Sequence, residues 1–371
     1  MRTAGASRRK RTQKPPQRFF ERQLAGEEPP TLETMRVLFS RAVELLAAAP
    51  WDRMHEDELV VFEIGAQIPC FCSVMGAAGR SMTVQVYIGI ESYFWFQKLH
   101  GGQPTTIGDF LAHQYSVYVD FANPADITPL ERQMAKSLGH PLTAKTVVPV
   151  FRTIRRGYHP WYVTEGEARL LAKGMEAVLV VCDIIRKDQH SDLWTEEDVY
   201  PRVVCTGEKG DQAEFSVTPM KAPREAQTMP KLPDLDQTRI QSILDRHWPS
   251  EGMLEVDQFY GAGMVGARHE RKACMRVGLA IDAHTAIAFP PEVSQPERAT
   301  GELLAEVVLK AVEARRALPA EIHVREPEYR ILLDRLAKAL GCVLRVRKSL
   351  PALDFAKSEL QAMLGDPGVI T

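Results

Sequence analysis

The sequence predicts an α/β protein in two parts: an α+β domain over residues 31–218 and a mixed-sheet α/β domain over residues 236–371. Three observations predict it. Helix-period and strand-period apolar patterns alternate along most of the chain, as they do where sheets and helices share a core. With 371 residues, 45% apolar and 25% charged, the composition is globular and the chain is long enough for two cores. Between Pro219 and Pro233 lie four prolines and few apolar residues, which suits an extended linker, placed at residues 219–235.

Residues 1–30 read as a basic, disordered tail. The first eighteen residues hold seven Arg or Lys and no acid, so with a net charge of −2 the remainder carries −9. The folded part is therefore acidic, and a weak contact with nucleic acid is left to Arg8, Arg9, Lys10, Arg11 and Lys14. A solubilising leader is the plainer use of the same residues. No apolar segment follows them, as a secretory signal requires. No run approaches the ~20 apolar residues that cross a bilayer, and Asp183 breaks the longest, Val178 to Ile185, so no membrane contact is expected. The six cysteines, at 70, 72, 182, 205, 274 and 342, are sparse and fit a reducing cytoplasm better than a disulfide framework.

Helical spacing of Met35, Leu38, Phe39, Ala42, Leu45 and Leu46 predicts a first helix over 32–49, stopped by Pro50. Apolar, β-branched runs at 59–64, 68–75 and 82–88, punctuated by Gly76 and Gly79, predict a small antiparallel sheet. Helices near 92–99 and 107–113 and a strand at 116–120 follow. Thr128, Pro129 and Glu131 form a capping box with proline at the first helical position, and Gly139 marks the stop. Thr164 and Glu167 repeat the box ahead of an amphipathic helix reaching about Lys187. A hairpin at 202–205 and 213–217 closes the domain.

The second domain reads as a helix (237–246), three strands (254–259, 273–281, 286–289) and a helix (301–318). A strand (321–325), a helix (328–340) stopped by Gly341, a strand (342–346) and a helix (352–363) complete it.

Several motifs have plain explanations. Gly261, Gly263 and Gly266 match G-x-G-x-x-G, but a strand and not a crossover helix follows, so the segment is read as a hairpin connection. Cys70 and Cys72 are too close in sequence for the usual zinc pair and are read as buried strand residues. Cys182 and Cys205 lack a local nucleophile signature. His55 to Glu58 is a solvated turn, and Tyr93 to Phe96 are core aromatics. Tyr158, His159 and Trp161 could line a binding pocket.

The strand and helix order from Leu254 onward, with Asp257 on its first strand and the turn Asp282–Thr285 after the second, resembles the ribonuclease H-like core of integrases and transposases. The resemblance spans about 110 residues and implies a metal-binding acid at Asp257, a third acid near Glu359 and a second acid where this chain has Arg325. The phrases Phe71–Gly76, Val86–Gly89 and Gly157–Trp161, together with 319–360, resemble domains of uncharacterised bacterial proteins, which implies a bacterial cytoplasmic protein.

Two-metal phosphodiester chemistry needs carboxylates that hold divalent cations about 4 Å apart, and a guanidinium among them repels those cations. The expectation is therefore a non-catalytic binding or regulatory protein without a cofactor, in which Arg325 pairs with Asp257 or clamps an anion. The alternative is a nuclease or phosphodiesterase using Mg²⁺ or Mn²⁺, with Asp257, Glu359 and either Glu326 or Asp354 as its acids.

Overall fold

Thr31 starts the first helix, α1 (Leu32–Ala48), by accepting from the Thr34 amide, and the stripe Met35, Leu38, Phe39, Ala42 and Leu45 is buried as the spacing predicts. In this computed structural model the described residues are 18–371 except 78, 80–81, 104, 188–192, 195, 197, 210–211, 225–229, 365–368 and 371. The basic cluster at Arg8, Arg9, Lys10, Arg11 and Lys14 lies outside them.

The chain continues through β1 (Val60–Ile64), β2 (Ile68–Met75), β3 (Thr83–Ile88), α2 (Gly89–His100), β4 (Thr105–Thr106), α3 (Ile107–His113), β5 (Ser116–Ala122) and α4 (Pro129–Ser137). β6 (Val148–Ile154), α5 (Glu165–Ile185), β7 (Val199–Lys209) and β8 (Gln212–Lys221) follow. Seven of these strands form one sheet in the order β6-β5-β3-β2-β1-β7-β8. Its pairs are antiparallel except β1 with β7.

Period-two alternation sorts its side chains. Val60, Phe62, Cys70, Cys72, Val84 and Val86 join the core formed with α1 and α5. Val61, Phe71 and Tyr87 point to the opposite face and pack with Tyr93 and Phe96 of α2. Both predicted capping boxes are present, at Thr128 with Glu131 and Thr164 with Glu167.

Beyond Lys221 come α6 (Gln237–Leu244), β9 (Met253–Val265), β10 (Ala273–Asp282), β11 (Glu292–Ser294), α7 (Thr300–Arg315) and β12 (Glu321–Val324). α8 (Pro327–Leu340), β13 (Val343–Val346), α9 (Pro351–Leu364) and β14 (Val369–Ile370) complete the order, and β14 pairs with β4. The second sheet runs β11-β10-β9-β12-β13. Its first three strands in sequence form an antiparallel meander, while β12 and β13 run parallel to β9. Leu254 and Val256 bury against α7 and α8 on one face, and Phe259 packs with Leu353 of α9 on the other.

Five expectations are corrected. Residues 18–30 are not a disordered tail: Phe19, Phe20 and Leu24 are buried, and Phe20 stacks on Tyr162 with ring centroids 4.4 Å apart. Strand β6 was not foreseen, because Pro149 interrupts its apolar run; as an edge strand it can lack that amide. The expected strand at 286–289 is reduced to a single antiparallel bridge, Ala288 with Ile281. Asp282 accepts from the His284 and Thr285 amides, Ala286 takes φ 56, and the third strand forms at 292–294 instead. The second hairpin is longer than foreseen, and β8 reaches Lys221, so the proline-bearing stretch begins as edge strand. Finally, Gly261 to Val265 continue β9, and the connection to β10 starts at Gly266.

Candidate functional site

Alternation along β9 places Glu255, Asp257 and Phe259 toward α9. Asp257 is 4% exposed. Its Oδ1 accepts from the Gln258 amide at 2.8 Å, and its Oδ2 accepts from Arg325 Nε at 3.2 Å. Arg325 stands one residue past β12, where the backbone leaves the sheet and frees a long side chain to reach sideways. Its Nη1 donates to the Lys348 carbonyl at 3.3 Å, and its Nη2 donates to Asp354 Oδ1. Asp354 Oδ2 in turn accepts from the Leu350 amide. Beside it the buried Glu255 accepts from the Leu353 amide at 2.8 Å, which ties the first turn of α9 to β9.

The guanidinium thus sits between two carboxylates. Burial pushes the Asp257 carboxyl up, and the Gln258 amide and Arg325 offset this only in part. Burial also works against the charge on Arg325, but Asp257 and Asp354 outweigh it and raise its pKa above the ordinary value. Of the other acids considered, Glu326 is exposed at the N-cap of α8 with no side-chain cap bond, and Glu359 is exposed on α9. Among the described residues, no group of three His, Cys, Asp or Glu side chains could hold a metal ion. The structure brings Asp257 and Asp354 together with Arg325 between them, and does not add Glu326 or Glu359.

The second candidate region lies where the two sheets' domains meet. The loop after β6 forms short backbone contacts with the start of β10: the Cys274 amide donates to the Gly157 carbonyl, and the His159 amide to the Lys272 carbonyl. Neither meeting surface leaves room for a side chain at two glycines. A Cβ on Gly157 would lie 2.4 Å from Pro296 Cβ, and one on Gly108 would lie 2.3 Å from Tyr260 Cβ.

A cleft of about 350 Å³ opens at this seam, lined by Gln23, Glu27, Arg155, Tyr158, Arg271 and Glu297 among others. Tyr158 donates its hydroxyl to the Glu297 carboxylate, and burial, aided by that acid, pushes its phenol up to about 12. Burial pushes the His159 imidazole down. His159 and Trp161 do not line the cleft; Trp161 Nε1 instead donates to the Gln23 carbonyl at 2.8 Å, fixing the backbone of residues beside it.

The charged residues of the cleft gave no signal in sequence, because they come from four distant segments. Arg155 Nη2 meets Glu27 Oε2 at 2.6 Å, and its Nε meets Glu167 Oε1 at 2.8 Å. Arg271 Nη2 reaches Glu27 Oε1 at 3.3 Å, while its Nη1 is buried with no hydrogen-bond partner. Glu167 was legible as a helix cap, and its Oε2 does accept from the Thr164 amide.

The buried thiols are placed as inert groups, whereas Cys205 is exposed. Burial pushes Cys70 and Cys274 up to about 12 and Cys182 up to about 11. Tyr93 and Phe96 are buried, and Phe71 stacks on Tyr93 at 4.5 Å. No helix among the described residues is long and apolar enough to cross a membrane.

Comparison with known families divides the chain along the same line as the two sheets. No curated protein matches it. Residues 36–202 match the family model described as domain of unknown function DUF7309, and residues 242–361 match the one described as domain of unknown function DUF6930. The chain is therefore a two-domain α/β protein that joins a DUF7309-like part to a DUF6930-like part.

Proposed function

We propose that the protein is a non-catalytic binding or regulatory protein, bacterial and cytoplasmic, with a ribonuclease H-like domain at residues 236–371 whose acid site has become an ion pair. The preceding domain runs through the end of β8 at Lys221, and the stretch from there to residue 235 joins the two. The observation that carries the reading is Arg325, whose guanidinium bonds Asp257 and Asp354 at once. A metal pair would need free carboxylate oxygens, and a fixed positive charge between these two acids opposes a divalent cation. The ribonuclease H-like reading is supported by the order of the second sheet: three antiparallel strands, then two parallel ones beyond the first strand, each preceded by a helix.

A working phosphodiesterase would need Arg325 to leave and a third acid to arrive. The test is incubation of the purified protein with Mn²⁺ or Mg²⁺ and single- or double-stranded nucleic acid, beside Asp257→Asn. The expected outcome is no cleavage by either protein. Cleavage by the wild type that disappears in the variant overturns the proposal. Any salt-sensitive retention of nucleic acid is expected to vanish when residues 1–18 are deleted, since the basic cluster lies there.

A further inference from the structure

We propose that Arg155 and Arg271 form a carboxylate-binding site at the seam between the domains, filled in this conformation by the chain's own Glu27, and that a small hydroxy- or amino-carboxylate competes for it. Two guanidiniums converge on one carboxylate there: Arg155 Nη2 on Glu27 Oε2 and Arg271 Nη2 on Glu27 Oε1. Each carboxylate oxygen has one guanidinium nitrogen beside it, a pairing of charge that suits a free carboxylate, and the idle Arg271 nitrogen leaves room for a fuller forked contact.

The site is incompletely satisfied as it stands. The Arg271 side chain is 9% exposed, yet its contact with Glu27 is long, at 3.3 Å, and its Nη1 has no partner. The missing bond is a standing cost. Arg276 and Arg315 also keep buried nitrogens without a partner, but Arg271 is the one of the three that lines this cleft and shares a carboxylate with a second arginine. Arg155, by contrast, is held on a second side by Glu167 and has no need of Glu27 to stay in place.

Glu27 is suited to give way. Its side chain is 30% exposed, and it follows Gly26 at φ 82 in a turn whose backbone is secured elsewhere. Phe19, Phe20 and Leu24 are buried, and Trp161 holds the Gln23 carbonyl. Rotation of one side chain into solvent therefore vacates the arginines without moving the segment. A carboxylate that takes its place leaves the balance of charge unchanged.

The rest of the cleft selects the ligand's other end. Tyr158, Glu270 and Glu297 line it with acceptor oxygens, so a hydroxyl or ammonium is favoured there and a dianion is repelled. At about 350 Å³ the space fits a small metabolite.

The experiment is thermal unfolding of the full chain at constant ionic strength with L-serine or L-lactate, with acetate and inorganic phosphate as controls. L-Serine or L-lactate is expected to raise the midpoint in a saturable way and to exceed both controls. Glu27→Gln, which removes the internal competitor, should half-saturate at about tenfold lower ligand concentration. Arg271→Gln should abolish the response, and Arg271→Lys, which keeps charge and bulk but loses the fork, should weaken it and serves if the first variant does not fold. A purely structural clamp predicts no ligand response in any variant. That result, or an Arg271 variant that responds like the wild type, overturns the proposal.

Discussion

A guanidinium between two carboxylates makes the three residues unequal in what they cost to replace. Asp257 is buried, but an asparagine there keeps an oxygen for the Gln258 amide, and the partly exposed Arg325 retains Asp354, so a neutral isostere loses little. Arg325 is different, because removing it leaves a buried carboxylate without its counter-charge. Asp257→Asn is accordingly expected to change stability by less than about 1 kcal/mol, whereas Arg325→Leu should cost about 3 kcal/mol. Urea unfolding of the two variants checks this. Equal losses would mean that Asp257 is neutral in the native state or compensated by another cation, of which Lys357 is the candidate.

At the scale of elements, α5 shows how close packing overrides local preference. Gly174 sits mid-helix, where alanine is ordinarily better by about 1 kcal/mol. Here a Cβ would lie 2.5 Å from Val86 Cγ2 and 3.4 Å from the Phe62 ring, so the helix could not keep its distance from the sheet. Gly174→Ala is expected to destabilise by about 1 kcal/mol net, the overpacking cost exceeding the propensity gain. Gly166, in the same helix with nothing within 4 Å of its Cβ position, is the internal control and should tolerate alanine or gain slightly. Equilibrium unfolding of both proteins gives the sign.

Legibility followed the range of the cause. Caps, stops and apolar stripes act within a few residues, so α1, α4, α5 and α8 could be read directly, and the Asp257–Arg325 pairing followed from two strands that had to be neighbours. β6 was missed because Pro149 is a breaker unless its strand lies at an edge, and edge position is a property of the whole sheet. The segment 286–289 misled for the reverse reason, since the turn shaped by Asp282 leaves Ala286 to Ala288 exposed and only Phe289 buried, so the apolar run makes one bridge and no longer ladder. The cluster of Glu27, Arg155, Glu167 and Arg271 had no local signature at all, as tertiary folding alone brings these residues together.

For the molecule as a whole, the seam ties acid stability to the contact between domains. Burial works against ionisation of Glu167, but Arg155, the Thr164 amide and Arg271 prevail and hold its carboxyl below the ordinary value of 4.5. A lowered native pKa means that its stabilisation is complete above 4.5 and is lost as pH falls through the native value. Acidification below that point is therefore expected to free Arg155 from Glu167 and disturb the Glu27 carboxylate that Arg155 shares with Arg271, which loosens the seam. Small-angle scattering across an acid titration should show expansion setting in at higher pH for wild type than loss of helical signal. The transition should flatten in Glu167→Gln, and an unchanged titration in that variant would remove Glu167 from the account.

The same seam has a bearing on biosynthesis. Leu111 and Ile154 belong to the first domain, yet they are covered with Cys274, and the Gly157 carbonyl waits for the Cys274 amide. On the ribosome, the nascent N-terminal half must expose that apolar spot and unpaired backbone until more than a hundred further residues have emerged. Maturation of the first half is in this sense completed by the second.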